Sequence, residues 1–304
     1  MNKPEAPESI ATPPFRCGQV AIVGKPSVGK STLLNALVGA RIAITSRRPQ
    51  TTRHRLRGIL TTAKAQFIFV DTPGFQTRHR SRLNERLNRA VRESVADVDA
   101  IVVVLEAKGL AAADREVLAL VPTGVAAIAA VNKVDRLSDR DRLLPLLAQI
   151  AAAREFAAIV PISAEKHWQL DVLTEEIAAC LPPGPPLYPA EDLTDRDERF
   201  LAAEYVREKI FRLLGEELPY AAAVTIERFT HEGNLRRIEA TVLVQKASQR
   251  AILLGKDGAH MKSIATAARR DMESLFGGKV FLEVWVRVSA GWSDDERTLT
   301  RLGY

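Results

Sequence analysis

Nine consecutive residues, Gly24-Lys25-Pro26-Ser27-Val28-Gly29-Lys30-Ser31-Thr32, combine two glycines, two lysines and three hydroxyls at a spacing suited to holding phosphate. Gly24 and Gly29 let the backbone bend so that successive N–H groups face phosphate oxygens. Lys30 would reach the β- and γ-phosphates, and the Ser31 hydroxyl would hold Mg²⁺. A glycine-rich turn can match such a pattern by accident. Here the apolar run 20–23 precedes it and residues 33–37 follow with helical apolar spacing. Strand, loop and helix is the context phosphate binding needs, and a helix beginning near Lys30 adds its positive dipole end. The pattern specifies phosphate but not the base.

Three more groups follow apolar runs. Asp71-Thr72-Pro73-Gly74 comes directly after Phe67-Ile68-Phe69-Val70. An acid there can hold Mg²⁺ through a water, and Gly74 can offer its N–H to the γ-phosphate, although the same four residues also make a good tight turn. Asn132-Lys133-Val134-Asp135 follows residues 125–131. An ionised Asp135 accepts from both N1–H and the exocyclic amine of guanine, a donor pair that adenine does not present. The Lys133 stem can lie along the base, and Asn132 can tie this loop to the phosphate loop. Ser163-Ala164-Glu165 follows Ile159-Val160-Pro161-Ile162, where backbone N–H groups could meet the guanine O6. Between phosphate loop and acid lies Arg47-Arg48-Pro49-Gln50-Thr51-Thr52-Arg53, too polar for a core. A loop here can fold over the γ-phosphate, with Thr52, or else Thr51, completing the Mg²⁺ shell; the arginines read as solvated. Four motifs in this order specify GTP.

The elements that must position them alternate. Strands are expected over 19–23, 55–61, 66–70, 100–105, 125–131 and 157–162, and helices over 31–38, 82–95, 114–120, 139–153 and 170–180. That rhythm predicts a mostly parallel sheet with helices on both faces, whose ligands bind at the carboxyl ends of the strands. The 304 residues suit about two domains, and 46% hydrophobic content is ordinary for a soluble chain. The net charge of +6 suits a polyanionic partner without requiring one. Cys17 and Cys180 match no metal spacing, which fits a reducing cytosol. No apolar run approaches membrane-spanning length, and residues 1–16 read as a loose tail without a signal-peptide core.

Residues 17–181 thus form one expected domain, and Pro182-Pro183-Gly184-Pro185-Pro186 opens a stiff, extended linker over 182–198. Residues 199–304 form a second domain: helix 199–214, strands 222–229 and 235–245, helix 248–254, the turn Gly255-Lys256-Asp257-Gly258, helix 259–275 and strand 279–288. In the first strand Val224, Ile226 and Arg228 are expected on one side. This order is that of an α+β type II KH domain, in which the loop between two helices clamps single-stranded nucleic acid along its backbone. The turn alone is weak evidence, but residues 246–270 carry a net +5 from Lys246, Arg250, Lys256, Lys262, Arg269 and Arg270 against Asp257. Ile252, Leu253, Met261 and Ile264 are expected in the groove floor or core. The acids Asp294, Asp295 and Glu296 should start a closing helix through about Leu302.

The stretches GKPSVGKSTLLNAL, SRRPQTTRHR, VDTPG, VNKVD, VPISAE, TDRDERF, ELPY, ILLGKDG and GWSDDER resemble the Era family of ribosome-associated GTPases over residues 18–304. The resemblance implies a GTP-controlled switch, binding GTP or GDP with Mg²⁺. Through its KH groove (Lys246, Arg250, Gly255, Lys256, Asp257, Gly258, Lys262) it would hold the 3′ end of small-subunit ribosomal RNA and assist 30S assembly. It implies a cytoplasmic protein, also reported at the inner face of the cell membrane, where attachment here would be peripheral; a monomer is expected. Two departures matter. Phe75 stands where Ras-like GTPases carry the Gln that orients water, so hydrolysis should be slow, with Lys30 and Mg²⁺ supplying charge stabilisation. Ser27 stands where relatives often carry an Asn that helps bind potassium, and lacks the amide carbonyl, so K⁺ is the weakest member of the implied set. A membrane-signalling GTPase whose second domain docks protein or anionic lipid is the rival reading.

Overall fold

The computed structural model describes residues 14–45, 52, 56–75, 82–214, 218–292, 295, 299, 300 and 302. Thr51, Arg47, Arg48 and Arg53 lie outside the described residues, as do Ser293, Asp294 and Glu296. The closing helix is described only at Leu299 and Thr300.

The first sheet contains β1 (Arg16–Val23), β2 (Leu56–Thr61), β3 (Ala65–Asp71), β4 (Ala100–Glu106), β5 (Ala126–Asn132) and β6 (Ala158–Pro161). Its order is β2-β3-β1-β4-β5-β6, parallel except where β2 runs antiparallel to β3. The strands read as continuous apolar runs because both faces are covered. Val20 and Ile22 pack beneath α1 (Lys30–Val38) and α5 (Leu170–Cys180). Ala21 and Val23 pack beneath α2 (Arg82–Ala96), α3 (Ala112–Leu118) and α4 (Leu143–Ala153). The expected helix over 139–153 begins later, at Leu143, because Arg140–Arg142 form a 3₁₀ turn. β1 sits between β3 and β4, where the strand order reverses, so the loop after Val23 opens at the switch point that α/β sheets use for ligands.

The proline segment is bound along its length. Cys17 N–H donates to Pro182 O, and the Gln66 side chain receives the Leu187 and Tyr188 N–H groups at 2.7 and 3.0 Å. Ile59 N–H donates to Leu193 O at 2.9 Å and Thr194 Oγ1 to Arg57 O at 2.7 Å, so the segment lies against β2.

Asp197 then caps α6 (Glu198–Leu213) through Phe200 N–H at 2.8 Å. β7 (Ala223–Glu232) and β8 (Leu235–Val244) form a hairpin, α7 (Ala247–Leu254) and α8 (Ala259–Phe276) follow, and β9 (Lys279–Val288) joins β8 in parallel. A bulge between Ile226 and Arg228 changes which side chains face inward. Arg228 is therefore exposed, contrary to the alternation read from sequence, and Phe229 packs against the core instead.

Candidate functional site

α1 begins at Lys30, preceded by Gly29 at φ +106°, a left-handed conformation. A Cβ at Gly29 would lie 2.4 Å from Asn132 Nδ2, so the absent side chain is what lets the Asn132 loop close on this one. Lys30 is buried, and its ammonium donates to the Gly24 and Lys25 carbonyls at 3.0 Å each. Burial pulls its pKa down to about 8, against the opposing pull of Asp71. Val28 sits wholly in the core and anchors the loop. The Lys25 side chain reaches away to Asp114 Oδ2 at 2.7 Å, leaving only its backbone to face the loop's interior.

Ser31 Oγ and Thr52 Oγ1 stand 2.8 Å apart, and they donate to Asp71 Oδ2 at 2.9 and 3.2 Å. Asp71 Oδ1 is buried without a hydrogen-bond partner. Burial pushes the Asp71 carboxyl up, opposed by Lys30 and by the Ser31 and Thr52 hydroxyls. Three converging oxygens, one with an unused partner atom, form the donor set a hard cation such as Mg²⁺ takes. Thr72 Oγ1 donates to Ile22 O at 2.8 Å, securing the turn that follows β3. A Cβ at Gly74 would lie 2.8 Å from Pro26 Cα, so these two loops also approach closely. Phe75 turns inward and packs with Val91 and Leu105, under the Arg92 guanidinium.

Asn132 knits three loops together. Its Nδ2 donates to Val28 O at 2.9 Å, and its Oδ1 accepts from Lys133 N–H at 2.8 Å and Ala164 N–H at 3.0 Å. Lys133 Nζ donates to Ser27 O at 2.7 Å and to Glu106 Oε1 at 3.2 Å. Burial pushes the Glu106 carboxyl up, but Lys133, together with Lys108 and Lys25, holds the group below its ordinary value. Ser163 Oγ donates to Asp135 Oδ1 at 2.5 Å, which aims the carboxylate, while Val134 N–H donates to Ile162 O. Glu165 pairs with Arg136 at 2.7 Å. A cavity of about 740 Å³ opens among these groups. It is lined by Ser27 and Gly29 of the loop before α1, by Thr32 of α1, by Asn132, Lys133, Asp135, Arg136 and Glu165, and by Thr45, Phe211 and Arg212.

In the second domain Lys246, Arg250, Lys256 and Lys262 are all exposed around Gly255–Gly258. A Cβ at Gly255 would meet His260 Cγ at 2.6 Å; His260 Nδ1 lies 2.8 Å from Ile252 O, bracing the turn. Asp257 adopts φ +52° within it. Arg269 pairs with Glu273 at 2.7 Å, which fits a solvated role. Leu253, Met261 and Ile264 are buried as expected, but Ile252 is 52% exposed beside the glycine turn.

Residues 19–133 match the family described as 50S ribosome-binding GTPase, and residues 217–293 match the KH domain. GTPase Era of Nitrosomonas eutropha is 53% identical over 290 residues, covering 95% of this chain and 98% of that protein. The Chromobacterium violaceum GTPase Era is 52% identical over the same length, with the same coverage. The chain belongs to the Era family of GTPases. Two solved Era structures superpose on it with a TM-score of 0.91 at 36% identity, covering 95% of this chain and 99% of theirs. One is an Aquifex aeolicus Era variant bound to GDP.AlF4-, and the other is Era with MgGDPNP and nucleotides 1506–1542 of 16S ribosomal RNA.

Beyond the Era-family motifs, a cluster of charges joins the two domains. Glu208 of α6 is 1% exposed, and it accepts from Arg41 Nη2 at 3.0 and 2.8 Å. Arg41 also pairs with Asp271 of α8 at 3.0 Å, and Tyr205 Oη donates to Arg41 O at 2.6 Å. Burial raises the Tyr205 hydroxyl pKa, so the donor stays protonated. Sequence spacing gives no sign of this cluster, since Arg41 and Glu208 lie 167 positions apart.

Proposed function

We propose that this chain is a guanine-nucleotide switch that hydrolyses GTP slowly, binds the 3′ end of small-subunit ribosomal RNA, and assists assembly of the 30S subunit. The carrying observation is that the loop leading to Lys30, with the Ser31–Thr52–Asp71 oxygens next to it, is tied through Asn132 to the Asp135–Ser163 pair, beside a cavity that Gly29, Thr32, Asn132 and Asp135 line. Phosphate with a hard cation and a guanine edge are two independent requirements, and the two groups that suit them are joined by the Asn132 Nδ2 bond to Val28 O.

In this reading Gly24, Pro26, Val28, Gly29 and Thr32 shape the phosphate cradle, and Lys30 holds the β- and γ-phosphates. Ser31, Thr52 and Asp71 hold Mg²⁺, which when bound supplies charge stabilisation to the transferring phosphoryl group. Gly74 offers its N–H to the γ-phosphate, Asp135 selects guanine, and Lys133 and Ala164 flank the base. Phe75 is buried, so no side chain at that position orients water, which favours slow hydrolysis. The exposed Ser27 hydroxyl gives K⁺ at most one side-chain oxygen.

Residues 17–181 act as the nucleotide domain, 182–198 as the linker and 199–304 as the RNA domain, in a monomer. The basic residues 246–262 track the RNA backbone while Gly255 and Gly258 admit it closely. No helix among the described residues is long and apolar enough to cross a membrane; the proposed site of action is the cytoplasm, with peripheral attachment to the inner membrane face.

The test is RNA affinity at fixed salt with a non-hydrolysable GTP analogue, GDP or no nucleotide, using the 3′ end of small-subunit ribosomal RNA. Tight binding with the analogue and weak binding with GDP is the expected result. Equal binding in all states removes the switch, and no binding in any state removes the RNA role.

A further inference from the structure

Thr45 is the last described residue before the segment carrying Thr52, and the second domain holds it on every polar side. Arg212 Nε donates to the Thr45 carbonyl at 3.1 Å and Nη2 to Thr45 Oγ1 at 2.8 Å. Glu208 Oε1 accepts from the Thr45 N–H at 3.1 Å and pairs with Arg212 at 2.9 Å. The buried Glu208 carboxylate orients the Arg212 guanidinium, and cations on both sides compensate its desolvation. Lys209 adds to this, since its ammonium lies 3.3 Å from Glu208 Oε2 and pairs with Asp271.

Arg212 is not spent on this tether. Its side chain is 42% exposed and lines the 740 Å³ cavity together with Thr45. The same cavity is lined by Gly29 before α1 and Thr32 within it, and by Asn132 at the end of β5 and Asp135 after it. The portion of a nucleoside diphosphate between base and β-phosphate is the ribose and the α-phosphate, which offer hydroxyl and anionic oxygens to a guanidinium.

We propose that Arg212 is a nucleotide-site residue supplied by the second domain, engaging the ribose and α-phosphate of a guanine nucleotide while fixing Thr45. This rests on the reading of the cavity as a guanine-nucleotide site. Nucleotide affinity then depends on the docking of the second domain, and the bound nucleotide in turn stabilises that docking, by the reciprocity that linkage requires. Because the ribose and α-phosphate are common to GDP and GTP, the contribution is the same for both.

The test measures the affinity of the full chain for GDP and for a non-hydrolysable GTP analogue, in wild type, Arg212→Ala, Arg212→Lys and Asp135→Asn. Arg212→Ala is expected to weaken both nucleotides by about tenfold, as loss of one charge-assisted hydrogen bond does. Arg212→Lys should recover part of the loss through retained charge. A thermal melt without nucleotide shows that each variant is folded. A folded Arg212→Ala chain that binds GDP within about twofold of wild type, its melt alone lowered, makes the arginine a domain tether only and overturns the inference. Failure of the underlying reading looks different: wild type would bind no GDP, or Asp135→Asn would bind it as wild type does.

Discussion

Leu87, on the helix that follows the Asp71–Gly74 turn, shares one buried cluster with Trp292 near the far end of the chain. Trp292 is 1% exposed and donates its indole N–H to Ala221 O at 3.0 Å, so its ring is fixed within the second domain. α2 therefore carries an apolar contact from the first domain into the second, on a path separate from the Glu208 cluster. A loop that orders on Gly74 can act on the second domain only through such contacts.

Tryptophan emission reads this contact directly. Of the three tryptophans, Trp168 is 46% and Trp285 64% exposed, which leaves Trp292 as the blue-emitting one. Leu87→Ala should remove about 2 to 5 kcal/mol of packing at this cluster and shift the emission to the red. The wild-type spectrum should also differ between GDP and a non-hydrolysable GTP analogue. A spectrum that is blind to both changes would disconnect α2 from the second domain.

Lys30 sets a pH dependence. Its pKa of about 8 without nucleotide reflects burial that disfavours the ammonium. Phosphate oxygens favour the ammonium, so above pH 8 nucleotide binding takes up a proton. GDP affinity should hold steady below pH 8 and fall by about tenfold per unit above it, measured at constant ionic strength. The stability sign is the reverse. Because the folded pKa lies below the ordinary 10.5, the unfolded chain binds more protons between these values, and nucleotide-free stability rises with pH through that window. Lys30→Met should bind no nucleotide and lose that rise.

The phosphate and base loops were legible because their chemistry needs rare residues at strand ends: glycines for close approach, an acid after an apolar run, an amide and an acid one and two positions from a lysine. Burial on both sheet faces likewise wrote continuous apolar strands. What escaped the sequence was pairing at a distance. Arg41 and Glu208 meet across 167 positions, and each alone reads as a solvated charge. Lys25 sits within the phosphate motif, yet its side chain belongs to Asp114. The bulge at Ile226 has no glycine to announce it, so strict alternation misplaced Arg228. By residue type Ile252 suits groove floor or core alike, and only its 52% exposure beside the glycine turn takes it out of the core.

Gly29 tests whether the loops must touch. Its φ of +106° disfavours any side chain, and an added Cβ would meet Asn132 Nδ2 at 2.4 Å. Asn132 would have to give up its bonds to Val28 O and Ala164 N–H, which place the base-reading loop. Gly29→Ala should weaken GDP binding by on the order of a hundredfold, since strain of about 1 to 3 kcal/mol adds to the lost loop geometry. The circular-dichroism spectrum should stay native, because the sheet does not run through Gly29. Undiminished affinity would mean that the two loops work independently.

Gly258 offers the cleaner probe of the basic groove. Gly255→Asp would collide with His260, 2.6 Å from the added Cβ, and confuse binding with strain. At Gly258 a Cβ would meet nothing within 4 Å, and its φ of +76° lies where Asp is tolerated better than most residues. Gly258→Asp therefore places a carboxylate in open space between Lys256 and Lys262 with little cost to the fold. Single-stranded RNA affinity should fall by at least about tenfold through repulsion at the phosphates, while GDP affinity stays at the wild-type value. Lys262→Ala should weaken all sequences alike and lower the salt slope by about one. RNA affinity that ignored both changes would move the binding surface away from the turn, and the exposed lysines would then be an ordinary solvated face.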